Sequence, residues 1–399
     1  APLRRAPVDT ALIQAEDIGF TTPYLRFHPT LRYAARPERV DDPQAAGEQF
    51  LKVYLDVMRL ADKLLGGEQP AAGMALVSLE EANLRRALHL AFESGKRQEG
   101  QWLADTLQVY MTMAGRNREH AALVKWVHAH LPADVLDEAY CNATHQQAWI
   151  LSTQGQAQQA VGLVQALLTR LQAEGLAGGA DPAFQIALTY HSIGRIYVEA
   201  NRPDLALDPA KQAIAGFEAL PGEAARGNLA AALGDLSNAY RHLGKLEQAL
   251  EAAERAMVIN RQLKRQHAVA VSVGQIGDIL LVAHRYPEAE ARYTEALRAA
   301  QEVGDVGLQA LILQTQGLLH LEQGNYARSV DLFQQAIAMF QQINDKANEM
   351  RTCDLLATAE RERGDLDAAE AWYLRARPLA EQLQDQHQLA SEAHNLGIL

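Results

Sequence analysis

Residues 233–260 read LGDLSNAYRHLGKLEQALEAAERAMVIN, and residues 273–300 read VGQIGDILLVAHRYPEAEARYTEALRAA. Both stretches show the same order of small and large side chains, in two helix-length segments joined by a short turn. An alanine recurs at one place of this unit, at spacings of 43, 40, 40 and 40 residues: Ala213, Ala256, Ala296, Ala336 and Ala376. Internal periods of this length are typical of arrays in which each repeat is a helix pair that packs on its neighbours.

The repeat also predicts where its two helices approach each other and where they end. Small residues occupy one site in the first helix (Gly194, Ser237, Gly277, Gly317, Ala357, Gly397) and one in the second (Ala206, Ala249, Ala289, Ser329, Ala369). Large residues such as Val273 and Leu280 complete an apolar stripe with i, i+3, i+4, i+7 spacing. Glycines at 244, 324 and 364 fit left-handed ends of first helices, and Asp305 and Asp345 can cap the helices that follow.

These residues resemble the tetratricopeptide repeat across residues 187–399. One unit carries the whole pattern: Leu313, Gln316, Gly317, His320, Gly324, Tyr326, Ser329, Phe333 and Ala336. The resemblance implies an all-α fold, a right-handed α-α superhelix whose concave groove binds a protein or peptide. The period exceeds the usual length of about 34 residues because the helices are longer. Weaker units at 101–134 and 141–168 bring the expected number to seven, and the loop at 174–182 is a predicted break.

Composition narrows the functional classes. The net charge of −12 opposes direct binding of nucleic acid. No apolar run approaches 18 residues, so we expect a cytoplasmic protein without a membrane span. Cys141 and Cys353 are expected to be buried structural thiols. His120, His128 and His130 lack a completing carboxylate or thiolate, so no metal site is predicted.

The N-terminal hundred residues follow a different pattern. The stretch ALIQAEDIGFTTPYLRFHPTLRYAAR, residues 11–36, predicts a short helix from Ala11, a hairpin-like segment at 18–27 and a helix that Pro29 opens. Further on, residues 76–100 predict an amphipathic helix. These segments contain three short motifs: Leu12-Ile13; His28-Pro29-Thr30-Leu31-Arg32-Tyr33-Ala34; and Glu80, Asn83, Leu84, Arg85, Ala87 and Leu88.

In this order, the motifs resemble the region that joins the nucleotide-binding and repeat halves of bacterial STAND (NB-ARC-type) signalling ATPases. The resemblance implies a winged-helix-like remnant at 1–40, a helical linker at 41–100 and a repeat superhelix at 101–399. It also implies that His28 lies near the nucleotide of the full protein. The alternative is that His28 starts a helix and packs beside Pro29.

Catalysis is not expected from this chain. The phosphate-binding pattern G-x-x-x-x-G-K-[ST] does not occur, so the chain needs no cofactor and any ATPase would lie outside it. No nucleophile elbow or other catalytic signature occurs either. Both ends are expected to be cut from a longer polypeptide, because residues 390–399 begin an eighth repeat that stops within its first helix.

The remaining candidate site is the concave wall, which the register assigns to first-helix positions i, i+3, i+7 and i+10. The candidates are His191, Arg195, Asn238, Arg241, Asp278, Leu281, Leu311, Gln314, Leu318, Leu321, Arg351, Asp354, Thr358 and Arg361. Its leucines are either anchors for a bound peptide or packing residues between neighbouring first helices. We therefore expect a non-catalytic sensor of a STAND-type regulator that binds a protein, peptide or small inducer. A free-standing scaffold that gathers partner proteins is the alternative.

Overall fold

The computed structural model describes residues 13–16, 24–27, 42–65, 70–114, 116–179 and 181–383. Within these ranges, sixteen α-helices follow one antiparallel two-stranded ribbon, so the predicted all-α architecture is confirmed for the repeats. Strands β1 (Ile13–Glu16) and β2 (Tyr24–Phe27) pair with Ile13 opposite Phe27. The short helix predicted from Ala11 was therefore wrong at residues 13–16, where pairing with a second strand decides the conformation. His28, the helix predicted from Pro29 and residues 384–399 lie outside the described residues.

The chain divides into two units. The N-terminal unit comprises residues 1–150 and 176–179, and the C-terminal unit comprises residues 151–175 and 180–399. The first five helices are α1 (Pro43–Leu65), α2 (Pro70–Glu93), α3 (Arg97–Met113), α4 (Asn117–His130) and α5 (Glu138–Thr153). Helix α5 ends three residues into the C-terminal unit, and a short 3₁₀ turn covers Ala177–Gly179.

The C-terminal unit consists of helices in sequence. They are α6 (Ala157–Glu174), α7 (Ala183–Glu199), α8 (Pro203–Glu218), α9 (Glu223–His242), α10 (Leu246–Gln262), α11 (Gln266–Val282), α12 (Tyr286–Glu302), α13 (Val306–Glu322), α14 (Tyr326–Gln342), α15 (Lys346–Arg363) and α16 (Leu366–Leu383). Each helix packs on the next, so α7 to α16 form five helix pairs. First helices also touch the first helices of adjacent pairs, whereas successive second helices make at most slight contact. We call the exposed side of the first helices α7, α9, α11, α13 and α15 the inner wall.

The small residues of the repeat lie where second-helix side chains press against first-helix backbones. A Cβ atom added to Gly277 would lie 2.6 Å from Cε1 of Tyr293, and one added to Gly317 would lie 2.6 Å from Cε1 of Phe333. Both rings are fully buried. In the pair α13 and α14, the small residue of the second helix is a serine. Its hydroxyl, Ser329 Oγ, donates a 2.8 Å hydrogen bond to the carbonyl oxygen of Gly317. The repeated small residue is therefore a packing requirement of the helix pair.

The helix ends also follow the sequence pattern. Gly244, Gly324 and Gly364 have φ angles of 71°, 73° and 93°, in the left-handed region that glycine enters at little cost. Asp305 Oδ1 accepts a 2.8 Å hydrogen bond from the backbone N–H of Leu308, and Asp345 Oδ1 accepts one of 3.1 Å from Asn348. The predicted stop and cap signals are thus confirmed at these junctions.

Candidate ligand-binding wall

All fourteen candidate residues lie on the first helices of the C-terminal unit, and they differ in exposure. Leu311 and Arg351 are exposed, and His191 and Leu281 are buried. The others are half-buried: Arg195, Asn238, Arg241, Asp278, Gln314, Leu318, Leu321, Asp354, Thr358 and Arg361. Most candidate side chains of the inner wall are therefore only partly exposed to solvent.

The apolar candidates mostly serve the core. Leu281 is 8% exposed and belongs to the large core of this unit, while Leu318 packs against that core and against the core of the last two pairs. Leu321 packs against the latter as well. These contacts favour the packing interpretation for the three leucines. Leu311, which is 39% exposed, is the apolar candidate that stays available to a ligand.

A first polar cluster joins α7 to α9. The Nε2 atom of His191 lies 2.8 Å from Oδ2 of Asp235. Burial lowers the pKa of Arg195, and the negative charges of Asp235 and Glu199 oppose this shift. Asp235 was missing from the predicted wall because it occupies position i+4 of its helix, whereas the prediction included only positions i, i+3, i+7 and i+10. The i+4 position of the same helix face was the available signal.

A second polar cluster joins α9, α11 and α12. Tyr293 Oη donates a 2.8 Å hydrogen bond to Oδ1 of Asp278. Burial is the main cause that raises the pKa of Asp278, and the charge of Arg241 partly offsets it. Within the described residues, the buried Nε of Arg241 has no hydrogen-bond partner. Tyr293 was not predicted because it lies on a second helix, although an aromatic residue recurs there at Tyr293, Phe333 and Tyr373.

A third polar group joins α13 to α15. Gln314 Nε2 donates a 2.9 Å hydrogen bond to Oγ1 of the buried Thr352. Six residues after Thr352, the hydroxyl of Thr358 lies 3.3 Å from Oη of Tyr373, in the register position that Asp278 takes two repeats earlier. The inner wall thus carries polar groups at three of the four junctions between neighbouring first helices, and each group is held by a neighbouring first or second helix.

The raised pKa of Asp278 leads to a prediction about pH. An unfolded aspartate has a pKa of about 3.9, so the folded state binds more protons above this value. Stability should therefore fall as pH rises from about 4 through the higher pKa of the folded state. The asparagine of the Asp278→Asn variant cannot ionise. In urea titrations, the free energy of unfolding of this variant should therefore increase relative to that of the wild type between about pH 4 and pH 7.

The matched control for this measurement is Asp331→Asn, which changes an exposed aspartate on α14. Its difference from the wild type in free energy of unfolding should be the same at about pH 4 and at about pH 7. An equal difference at both pH values for Asp278→Asn would show that burial does not hold this carboxyl in its neutral form.

The cysteines and two of the histidines noted in the sequence lie within the described residues. Cys141 and Cys353 are buried, as predicted, and no disulfide joins them to a described residue. His130 stacks on Trp126 with ring centroids 4.0 Å apart, and its Nδ1 lies 2.8 Å from the Trp126 carbonyl oxygen. His128 is half-buried, and desolvation lowers its pKa. Among the helices that the structure describes, none is long and apolar enough to cross a membrane.

Comparison with known proteins identifies the repeat. Residues 229–263, 268–342 and 314–383 match family models of the tetratricopeptide repeat. The chain therefore contains tetratricopeptide repeats within residues 229–383, as its residue pattern indicated. No curated protein matches its sequence.

Several solved structures share the fold. A signal transduction ATPase with numerous domains (STAND) from Pyrococcus horikoshii, which has a tetratricopeptide repeat sensor, is 16% identical with a TM-score of 0.58. That match covers 98% of this chain and 58% of the other, so the chain spans little more than half of that protein. The apo quorum sensor NprR from B. thuringiensis is 13% identical, with a TM-score of 0.56 and coverages of 85% and 99%. A Rap protein complexed with Competence and Sporulation Factor is 16% identical, with a TM-score of 0.54 and coverages of 74% and 80%. At these identities the likeness is one of fold.

Proposed function

We propose that this chain is the non-catalytic sensor region of a STAND-type regulator and that its inner wall binds a protein or peptide. One observation carries the proposal: half-buried polar side chains recur on the inner wall at three of the four junctions between neighbouring first helices. Because their neighbours already fix these polar side chains, they can hydrogen-bond an extended segment with little loss of side-chain entropy. The guanidinium groups of Arg195 and Arg241 lie near the carboxyl groups of Asp235 and Asp278, and this mixture suits the alternating donors and acceptors of a peptide.

The regulator role is supported by the three motifs at 12–13, 28–34 and 80–88, and by a STAND fold match that extends over nearly the whole chain. In this proposal residues 1–40 are the end of a winged-helix-like domain, residues 41–100 a linker, and His28 a neighbour of the nucleotide. A small-molecule inducer is a second ligand class that the same wall can hold.

Differential affinity would be the physical basis of the switch. A ligand that prefers the array when it is released from the nucleotide-binding domain shifts the resting equilibrium toward the released form. A change from 1:99 to 99:1 requires a preference of about 5.5 kcal/mol. Contacts at three junctions together can provide such a preference, since one strong contact contributes roughly 2 kcal/mol.

A binding experiment tests the wall. Peptides selected from a displayed random library on the full chain are titrated against wild type and against Asn238→Ala/Arg241→Ala. We expect the double variant to raise Kd at least about tenfold, since both removed side chains face the ligand. The matched control, Arg298→Ala/Gln301→Ala, removes two exposed side chains from the second helix α12 and should change Kd less than about twofold. Equal affinity for wild type and the wall variant would contradict the proposal.

A further inference from the structure

The N-terminal unit contains a helix whose exposed face is apolar around a carboxylate. Helix α3 is largely buried, yet Trp102, Val109 and Met113 are 42%, 46% and 45% exposed. Asp105 is half-buried and lies between Trp102 and Val109 at i, i+3 and i+7 spacing, so the side chains share one face. This face, defined by these four residues, is called the α3 face.

A polar network lies beneath the α3 face. Asp105 Oδ1 accepts hydrogen bonds of 2.8 Å from Gln101 Nε2 and 2.9 Å from Gln146 Nε2. Gln108 Nε2 donates to Gln146 Oε1 at 3.1 Å. Burial raises the pKa of Asp105, and the negative charge of Asp62 on α1 adds to the increase. Asp62 contacts Thr106, the residue that follows Asp105 on α3, so the two carboxyl groups are neighbours.

The donors and acceptors of this network do not balance. Gln101 is 1% exposed, and its Oε1 has no hydrogen-bond partner among the described residues. Its Nε2 is bound to Asp105, so the unpaired oxygen of the same amide lies beside that carboxylate. The carboxylate of Asp62 accepts a 2.6 Å hydrogen bond from Thr106 Oγ1. Two neighbouring carboxyl groups and an unpaired buried carbonyl together favour a group that is cationic and rich in N–H donors.

We propose that the α3 face is a second ligand site, which takes an arginine or lysine side chain of a peptide between Asp62 and Asp105. A guanidinium or ammonium supplies both the positive charge and the several donors that the acceptors lack. The exposed ring of Trp102 adds a cation–π contact, and Val109 and Met113 contact apolar residues that flank the basic side chain in the peptide. The net charge of −12 attracts such a peptide at long range. This site does not depend on the inner wall of the C-terminal unit.

The test uses the full chain, immobilised, and acetylated, amidated heptapeptides. Their central residue is Arg, Lys, Gln or Glu, and their flanks are mixtures of Ala and Leu. We expect Arg- and Lys-centred peptides to be retained at least about tenfold better than Gln-centred ones, with Glu-centred ones retained least. Asp105→Asn should reduce the preference for Arg over Gln to less than about twofold, and Trp102→Ala should weaken Arg-peptide retention about threefold.

Two controls keep the outcomes distinct. Asp56→Asn removes an exposed carboxylate from α1 and should leave the preference unchanged. Asp105→Asn preserves shape and should not lower the melting temperature, since burial already opposes ionisation of Asp105. Equal retention of Arg- and Gln-centred peptides, or an unchanged preference in Asp105→Asn, overturns the inference. Loss of the preference in Asn238→Ala/Arg241→Ala but not in Asp105→Asn also overturns it, while leaving the inner wall as the binding surface.

Discussion

Ala296→Glu is expected to unfold the helix pair α11 and α12. Ala296 has no exposed surface and lies in the main core of the C-terminal unit. A glutamate there must bury a carboxyl without a partner and must also displace its neighbours. We expect the free energy of unfolding to fall on the order of 4 kcal/mol, at the severe end of single substitutions. Urea titration followed by circular dichroism measures the loss.

The matched control is Ala291→Glu, which makes the same change at an exposed position of the same helix. It should alter the free energy of unfolding by less than about 0.5 kcal/mol. Because each pair contacts only its neighbours, the loss in Ala296→Glu should appear first as reduced helicity in part of the array. Equal stability of the two variants would contradict the assigned repeat register.

Phe333→Ala is the second substitution with a large expected effect. The ring is fully buried against Gly317, and its removal leaves a cavity that should cost about 4 kcal/mol. Gly317→Ala alone should cost about 2 kcal/mol, because the new Cβ would lie 2.6 Å from the ring. In the double variant the added methyl group occupies space that the ring has left, so the steric clash is removed and the cavity is smaller.

We therefore expect the double variant to lose at least about 1 kcal/mol less than the sum of the single losses. Gly274→Ala is the control on α11, where an added Cβ meets nothing within 4 Å. It should stabilise the protein by up to about 1 kcal/mol, because alanine favours helix more than glycine does. Additive losses in Phe333→Ala/Gly317→Ala would contradict the close contact of ring and helix backbone.

The repeat could be predicted from the sequence because its signals are local and repeated. Gly277 and Gly317 marked the close helix contacts, and Asp305 marked a helix start, each at a fixed distance from a core alanine. Residues 13–16 were predicted as helix because four residues give too little periodicity to distinguish helix from strand. Their pairing partner lies eight or more residues away, and a local pattern does not contain it.

The inner wall was predicted only in part. Helical periodicity placed Arg195, Arg241 and Asp278 on half-buried faces of the first helices, but it could not distinguish an exposed leucine from one that packs on the next first helix. Leu281 and Leu311 were both assigned to the wall, yet one is buried and the other exposed. The bond from Tyr293 to Asp278 depends on the distance between two helices, which periodicity within one helix does not give.

The assignment as a sensor region is tested most directly by the reading frame that encodes this chain. We expect the codons before Ala1 to specify a P-loop of the form G-x-x-x-x-G-K-[ST] followed by a strand that ends in acidic residues, because a STAND-type regulator needs both to hold nucleotide and Mg²⁺. A start codon close to Ala1, with no such domain in the same frame, would contradict the sensor role and would leave a free-standing scaffold.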